Sequence, residues 1–191
     1  MASPASVLVD CLLQSARAVL LVVDIQGKLV PAMQDSDSLL GQASRLIQGC
    51  GLLDVPVVVT EQYPQGLGPT VPELSSVLPG SAVVLEKAAF GCGQEPQLVE
   101  HLSGLQRPQV LVCGIEAHIC VNQTVHQLLA LGYQVHLIQD AISARQARDK
   151  DLAMLKMHQA GAIPSGVEMA LFEMLGTARH PQFKAVQALV K

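Results

Sequence analysis

Five short runs of nearly uninterrupted apolar, largely β-branched residues limit the possible folds most strongly: AVLLVVD (18–24), VPVVVT (55–60), AVVLEK (82–87), QVLVCG (109–114) and QVHLIQD (134–140). A weaker run lies near GAIPS (161–165). A strand with one wet face alternates apolar and polar residues, whereas these runs do not, so both their faces are buried. Helical periodicity fills the gaps between them. Leu39, Leu40, Ala43, Leu46, Ile47 and Cys50 form one stripe within 38–53. Further helices are expected over 95–105, 120–131, 148–160, 167–175 and 181–190. Strand–helix alternation at this spacing defines a three-layer α/β/α arrangement, a doubly wound parallel sheet covered on both sides. A chain of 191 residues without a linker or repeat is expected to form one domain, 1–191.

Composition removes several classes of function. The chain has no Trp, two Tyr and three Phe, too few for a surface that stacks nucleic-acid bases, and its net charge of −4 leaves no basic footprint for phosphates. The run 18–23 is too short to span a bilayer. Five cysteines form no CxxC pair, as expected of reduced thiols in a cytoplasmic protein. A glycine cradle is missing after the first strand, where the chain reads Asp24-Ile-Gln-Gly-Lys, so a Rossmann-like sheet without a dinucleotide site is expected. The six histidines all follow position 100, and none sits in a zinc-ligand spacing, so no metal and no cofactor are expected. The connection 61–73 is rich in Gly and Pro and is expected to be ordered by turns rather than by a helix.

In an open α/β sheet, ligands sit beyond the carboxyl ends of the strands. The polar residues there are Asp24 and Gln26, then Thr60, Glu61 and Gln62, then Lys87, then Glu116, His118 and Cys120, then Asp140, Ser143 and Arg145. An acid, an amine and a thiol thus share one rim. A thiol becomes a nucleophile as thiolate, which a helix N-terminus, a cation or a neighbouring base favours. Cys120 begins a helix, Lys87 offers the cation and Asp24 the base. Each also has a plainer reading: a capping Asp, a solvated Lys, or a Cys packed as a small hydrophobe. Cys113, inside a strand, is expected to be inert.

VVDIQ (22–26), EKAAF (86–90) and GIEAHICVNQT (114–124) resemble the isochorismatase-like, or cysteine, hydrolase family, and DAISAR (140–145) resembles a further family segment. TEQYPQGLGPTVPEL (60–74) is similar to the branch of isochorismatase domain-containing proteins and related bacterial hydrolases. The resemblance implies a six-stranded parallel sheet of order 3-2-1-4-5-6 and a triad of Asp24, Lys87 and Cys120. It also implies a non-proline cis peptide at Ile115–Glu116, which would aim the backbone N–H groups of Glu116 and Cys120 at a substrate oxyanion. The metal-binding Asp-x-His…His set of the family's nicotinamidases is replaced here by EQYPQGLGP, which agrees with the histidine census.

The expected activity is therefore hydrolysis of a small amide or related C–N bond through a Cys120 thioester. Gln26, Gln62, Tyr63, Phe90, His118 and Ile119 are candidate pocket residues by position. Two alternatives stay open, a catalytically silent binding or scaffold protein of the same fold and a thiol-reactive redox protein. The expected partner is a small-molecule substrate, with no nucleic acid and no membrane, and the family resemblance implies a homo-oligomer.

Overall fold

The computed structural model describes residues 11–191; the first ten residues of the domain expected over 1–191 lie outside that description. Six strands form one parallel sheet in the order β3-β2-β1-β4-β5-β6, with β1 Ala18–Val23, β2 Val57–Gln62, β3 Val83–Lys87, β4 Gln109–Gly114, β5 Gln134–Ile142 and β6 Ile163–Ser165. This is the doubly wound sheet expected from the apolar runs. The central strand β1 is buried at every residue. Its side chains alternate between two cores: Ala18, Leu20 and Val22 enter one, while Val19, Leu21 and Val23 enter the other.

The helices divide accordingly. On the first side lie α1 (Ser36–Leu52) and, further along the chain, Val167–Leu175 and Phe183–Val190, whose Leu46, Ile47, Leu171 and Val186 are buried in that core. On the second side lie α2 (Pro96–Gly104), α3 (Asn122–Ala130) and α4 (Ala147–Gln159), which bury Leu98, Leu102, Val125, Leu128 and Met157. In chain order the two remaining helices are α5 (Val167–Leu175) and α6 (Phe183–Val190). Burial of these apolar side chains at about 25 cal/mol per Å² is the main force holding the layers together. The outer strand β3 shows the alternation of a half-covered edge, with Val84 and Glu86 exposed.

Two local expectations are corrected. The connection 61–73, expected to be ordered by turns rather than by a helix, contains one four-residue helical turn, Pro64–Leu67, and runs into a second, Pro72–Ser75. Each carries Pro in its first turn, where the missing N–H costs nothing. The helix expected from position 120 starts earlier and differently: Ala117–Val121 forms a π-helical turn that runs into α3.

His136, on β5, is buried, with an Nε2 that has no hydrogen-bond partner. Burial pushes its pKa down to about 4, so the ring is neutral in the folded protein at neutral pH. The unfolded ring titrates at its ordinary value, so the unfolded chain takes up the proton first as pH falls. Stability should therefore be lost between about pH 6.5 and about pH 4. A melting series over that range should show His136→Leu losing about 5 °C less than the unaltered chain. Equal losses would mean that His136 does not couple folding to protons.

Candidate active site

Strand register assembles the site. Val23 of β1 pairs with Thr60 of β2 and with Gly114 of β4, and Gln62 of β2 pairs with Lys87 of β3. The residues just past these pairs therefore meet at one edge of the sheet, across the reversal of strand order between β1 and β4. Asp24 leaves β1 in the left-handed region, at φ 52°. Asp tolerates that conformation better than most residues. Its side chain is fully buried.

Lys87 Nζ lies 2.6 Å from Asp24 Oδ2, and both side chains are essentially inaccessible to water. The Thr60 hydroxyl donates to Asp24 Oδ1 at 2.7 Å. Lys87 Nζ donates further to Gln62 Oε1 at 2.7 Å, to the Phe90 carbonyl at 3.0 Å and to the Ala89 carbonyl at 3.2 Å. Burying two charges costs several kcal/mol per ion unless their remaining donors and acceptors are met. Here the surrounding groups meet all but Asp24 Oδ2, which has the ion pair alone. Burial raises the Asp24 pKa above its ordinary value, against the opposing pull of Lys87 and of the hydrogen bonds from Lys87, Thr60 and Cys120. The carboxylate is thereby a stronger base than an exposed one.

Cys120 lies in the π turn, where the Val121 N–H reaches back to the Glu116 carbonyl at 3.2 Å. Its thiol lies close enough to Asp24 for each to shift the other's pKa, and only 6% of the residue is exposed. Burial first, and then the Asp24 charge, push its pKa up to about 12. In the resting protein Cys120 is a protonated thiol facing a carboxylate, not a free thiolate. The exposure expected of a redox thiol is absent: Cys92 is fully buried as well, with a pKa pushed up to about 11 by burial. The Cys92 N–H donates to Thr124 Oγ1, one helical turn beyond Cys120. Cys113 and Cys50 are packed in the core, and burial raises both thiols.

The Ile115–Glu116 peptide bond is cis. Gly114, just before it, has φ 126°, and a Cβ there would lie 2.1 Å from the Val23 carbonyl oxygen. Only glycine fits this close approach of β4 to β1. Beyond the bend, Ala117 N–H donates to the Ser143 carbonyl and Glu116 Oε2 pairs with Arg145 Nε at 2.8 Å.

The pocket candidates separate into two groups. Gln26 and Gln62 are buried and their amides are engaged. Gln26 Oε1 accepts from Gln62 N–H at 2.7 Å, and Gln26 Nε2 donates to the Gln62 carbonyl at 3.0 Å and the Gly68 carbonyl at 2.6 Å. Gln62 Nε2 donates to the Ala88 carbonyl. These two residues brace the strand ends that hold Lys87. Tyr63 and Phe90, by contrast, are 61% and 54% exposed, and His118 and Ile119 are half-buried. Sequence position alone did not reveal Thr60 as the partner of Asp24 or Thr124 as the partner of Cys92. Among the described residues no group of three or more His, Cys, Asp and Glu side chains could hold a metal, and no helix is long and apolar enough to cross a membrane.

A buried acid–lysine pair and a buried thiol thus share the carboxyl edge of a doubly wound sheet. The family model for the isochorismatase domain matches residues 18–169, and the chain belongs to that family. It is 41% identical over 177 residues to human isochorismatase domain-containing protein 2, covering 91% of this chain and 83% of that protein. The zebrafish protein of the same description is 36% identical over 181 residues, with 93% and 89% covered. The solved structure described as MAR1 ribonuclease from Caenorhabditis elegans superposes with a TM-score of 0.89 at 36% identity, covering 93% of this chain and 91% of that one.

Gly114→Ala should fail to fold or lose at least about 3 kcal/mol, because both the φ value and the contact with the β1 backbone oppose a side chain. Chemical denaturation checks this. A loss below about 1 kcal/mol would mean that β1 and β4 can separate at the site.

Proposed function

We propose that the chain is a metal-independent cysteine hydrolase that cleaves a small amide or related C–N bond. The observation that carries this reading is the buried Asp24–Lys87 pair with the buried Cys120 thiol beside it. Asp24 takes the Cys120 proton as the sulfur attacks the substrate carbonyl, so the thiolate forms only as the S–C bond does. Lys87 balances the charge of Asp24 before transfer and of the developing anion afterwards. The backbone N–H groups of Glu116 and Cys120 hold the tetrahedral oxyanion. Protonated Asp24 then gives its proton to the leaving amine as the C–N bond breaks, leaving a thioester on Cys120. Water attacks that thioester, its proton passes to Asp24, and the C–S bond breaks with the proton returned to sulfur.

The ribonuclease description of the nematode structure supplies a second reading, but a net charge of −4 disfavours binding a polyanion. A redox reading is disfavoured by the burial of both Cys92 and Cys120. As further parts of this proposal, the protein is cytoplasmic and assembles as a homo-oligomer, through exposed apolar residues such as Leu152 and Leu155 on α4.

Incubation with a panel of primary amides and hydroxylamine should release the hydroxamate of one of them. Asp24→Asn, Lys87→Met and Cys120→Ser should each lower that rate at least about 100-fold. Activity should fall on the acid side at a pH above the ordinary carboxylate range, because Asp24 must be ionised and its pKa is raised. Hydroxamate formation undiminished in Cys120→Ser would sink the thioester route.

A further inference from the structure

Resting on the reading of Cys120 as nucleophile, the geometry points to an uncharged substrate whose acyl part is held by ring surfaces rather than by a cation. Every charge built into the site already has its counterpart. Lys87 has three N–H bonds to give and four acceptors around it: Asp24, Gln62 and the carbonyls of Ala89 and Phe90. It has no donor left for a substrate carboxylate or phosphate. Of the other cations near this rim, Arg145 is paired with Glu116 and Lys150 lies beside Asp140. The amides that could replace a cation are also committed, Gln26 to the backbone of Gln62 and to Gly68, and Gln62 to Lys87 and Ala88.

What the site leaves exposed is of another kind, although the Tyr63 ring rests one edge on Gly66. The backbones of Tyr63 and Phe90 both touch Lys87: the Tyr63 N–H donates to the Lys87 carbonyl at 3.0 Å, and the Phe90 carbonyl accepts from Lys87 Nζ. Their rings are nevertheless more than half exposed. In a chain with only five aromatic residues, two solvent-facing rings anchored on the same buried lysine are an unusual allocation of apolar surface. Beside Cys120, His118 Nδ1 is buried without a partner. It supplies one polar contact that needs no charge on the ligand. The same desolvation that keeps the Cys120 thiol protonated opposes the entry of an anion.

The test compares two electrophiles of nearly equal size, iodoacetamide and iodoacetate. Labelling of Cys120 is followed by mass spectrometry, and each rate is divided by the reagent's rate with glutathione. The normalised preference for the amide should exceed 10-fold. With 2-chloro-2-phenylacetamide, the Tyr63→Ala/Phe90→Ala double variant should label at least threefold more slowly than the unaltered chain, while iodoacetamide labelling stays within twofold. Iodoacetate reacting as fast as iodoacetamide would overturn the exclusion of anions while leaving the nucleophile reading intact. A double variant labelled by the phenyl reagent as fast as the unaltered chain would overturn the role of the rings. Failure of both small reagents to label Cys120 would instead overturn the nucleophile reading itself, and this inference with it.

Discussion

The buried ion pair between Asp24 and Lys87 is the interaction on which the rest of this site depends. An isolated pair of this kind adds little stability, because desolvation offsets the attraction. Its retention in the interior requires a shell that satisfies each remaining proton and lone pair, and three strands contribute to that shell. Thr60 and Gln62 come from β2, Lys87 and the following carbonyls from β3 and its loop, and Asp24 from the left-handed bend after β1. Gln26 then locks the first bend to the end of β2 by pairing its side-chain amide with the Gln62 backbone in both directions. The pair is thus fixed by the sheet rather than by a flexible loop, as a preorganised site requires.

The same shell defines the thiol beside it. A cationic neighbour alone would lower the pKa of Cys120, but here that cation is neutralised by Asp24, and burial dominates. The site therefore holds a carboxylate beside a neutral thiol rather than a standing thiolate. Such a thiol is guarded against oxidation, which needs thiolate character, and reacts with an electrophile as Asp24 takes its proton. Cys92, whose N–H is held by Thr124 of α3, is protected by burial as well.

Much of the architecture was legible in the chain. Both-face burial of β1 and β4 follows from their unbroken apolar runs, and residues at strand ends must line the carboxyl edge, which singled out Asp24, Lys87 and Cys120 as a group. The order of the strands followed from family resemblance rather than from periodicity. What stayed hidden depends on register and on local bond geometry. The pairing of Gln62 with Lys87 and the grip of Gln26 on Gln62 join positions 25 and 36 residues apart, and nothing in local composition encodes such partners. Gln26 and Gln62 were expected to line the pocket because they sit at strand ends; that their amides also bond the backbone and, for Gln62, Lys87 was not legible. The π turn at 117–121 was also invisible, since its residues suit an α-helix equally well. The burial of Cys92 comes from packing against α3, although its Gly-flanked sequence reads as an open loop.

The central claim, that Cys120 rests as a neutral thiol beside an ionised Asp24–Lys87 pair, is tested most directly by the thiolate absorbance near 240 nm. The difference in that absorbance between the unaltered chain and Cys120→Ser should be followed from acid to strongly alkaline pH. Because burial holds the Cys120 pKa near about 12, the difference should stay flat through neutrality and rise only in alkali. A titration of Cys120 centred below about pH 7 would show a standing thiolate paired with Lys87 and would contradict the account.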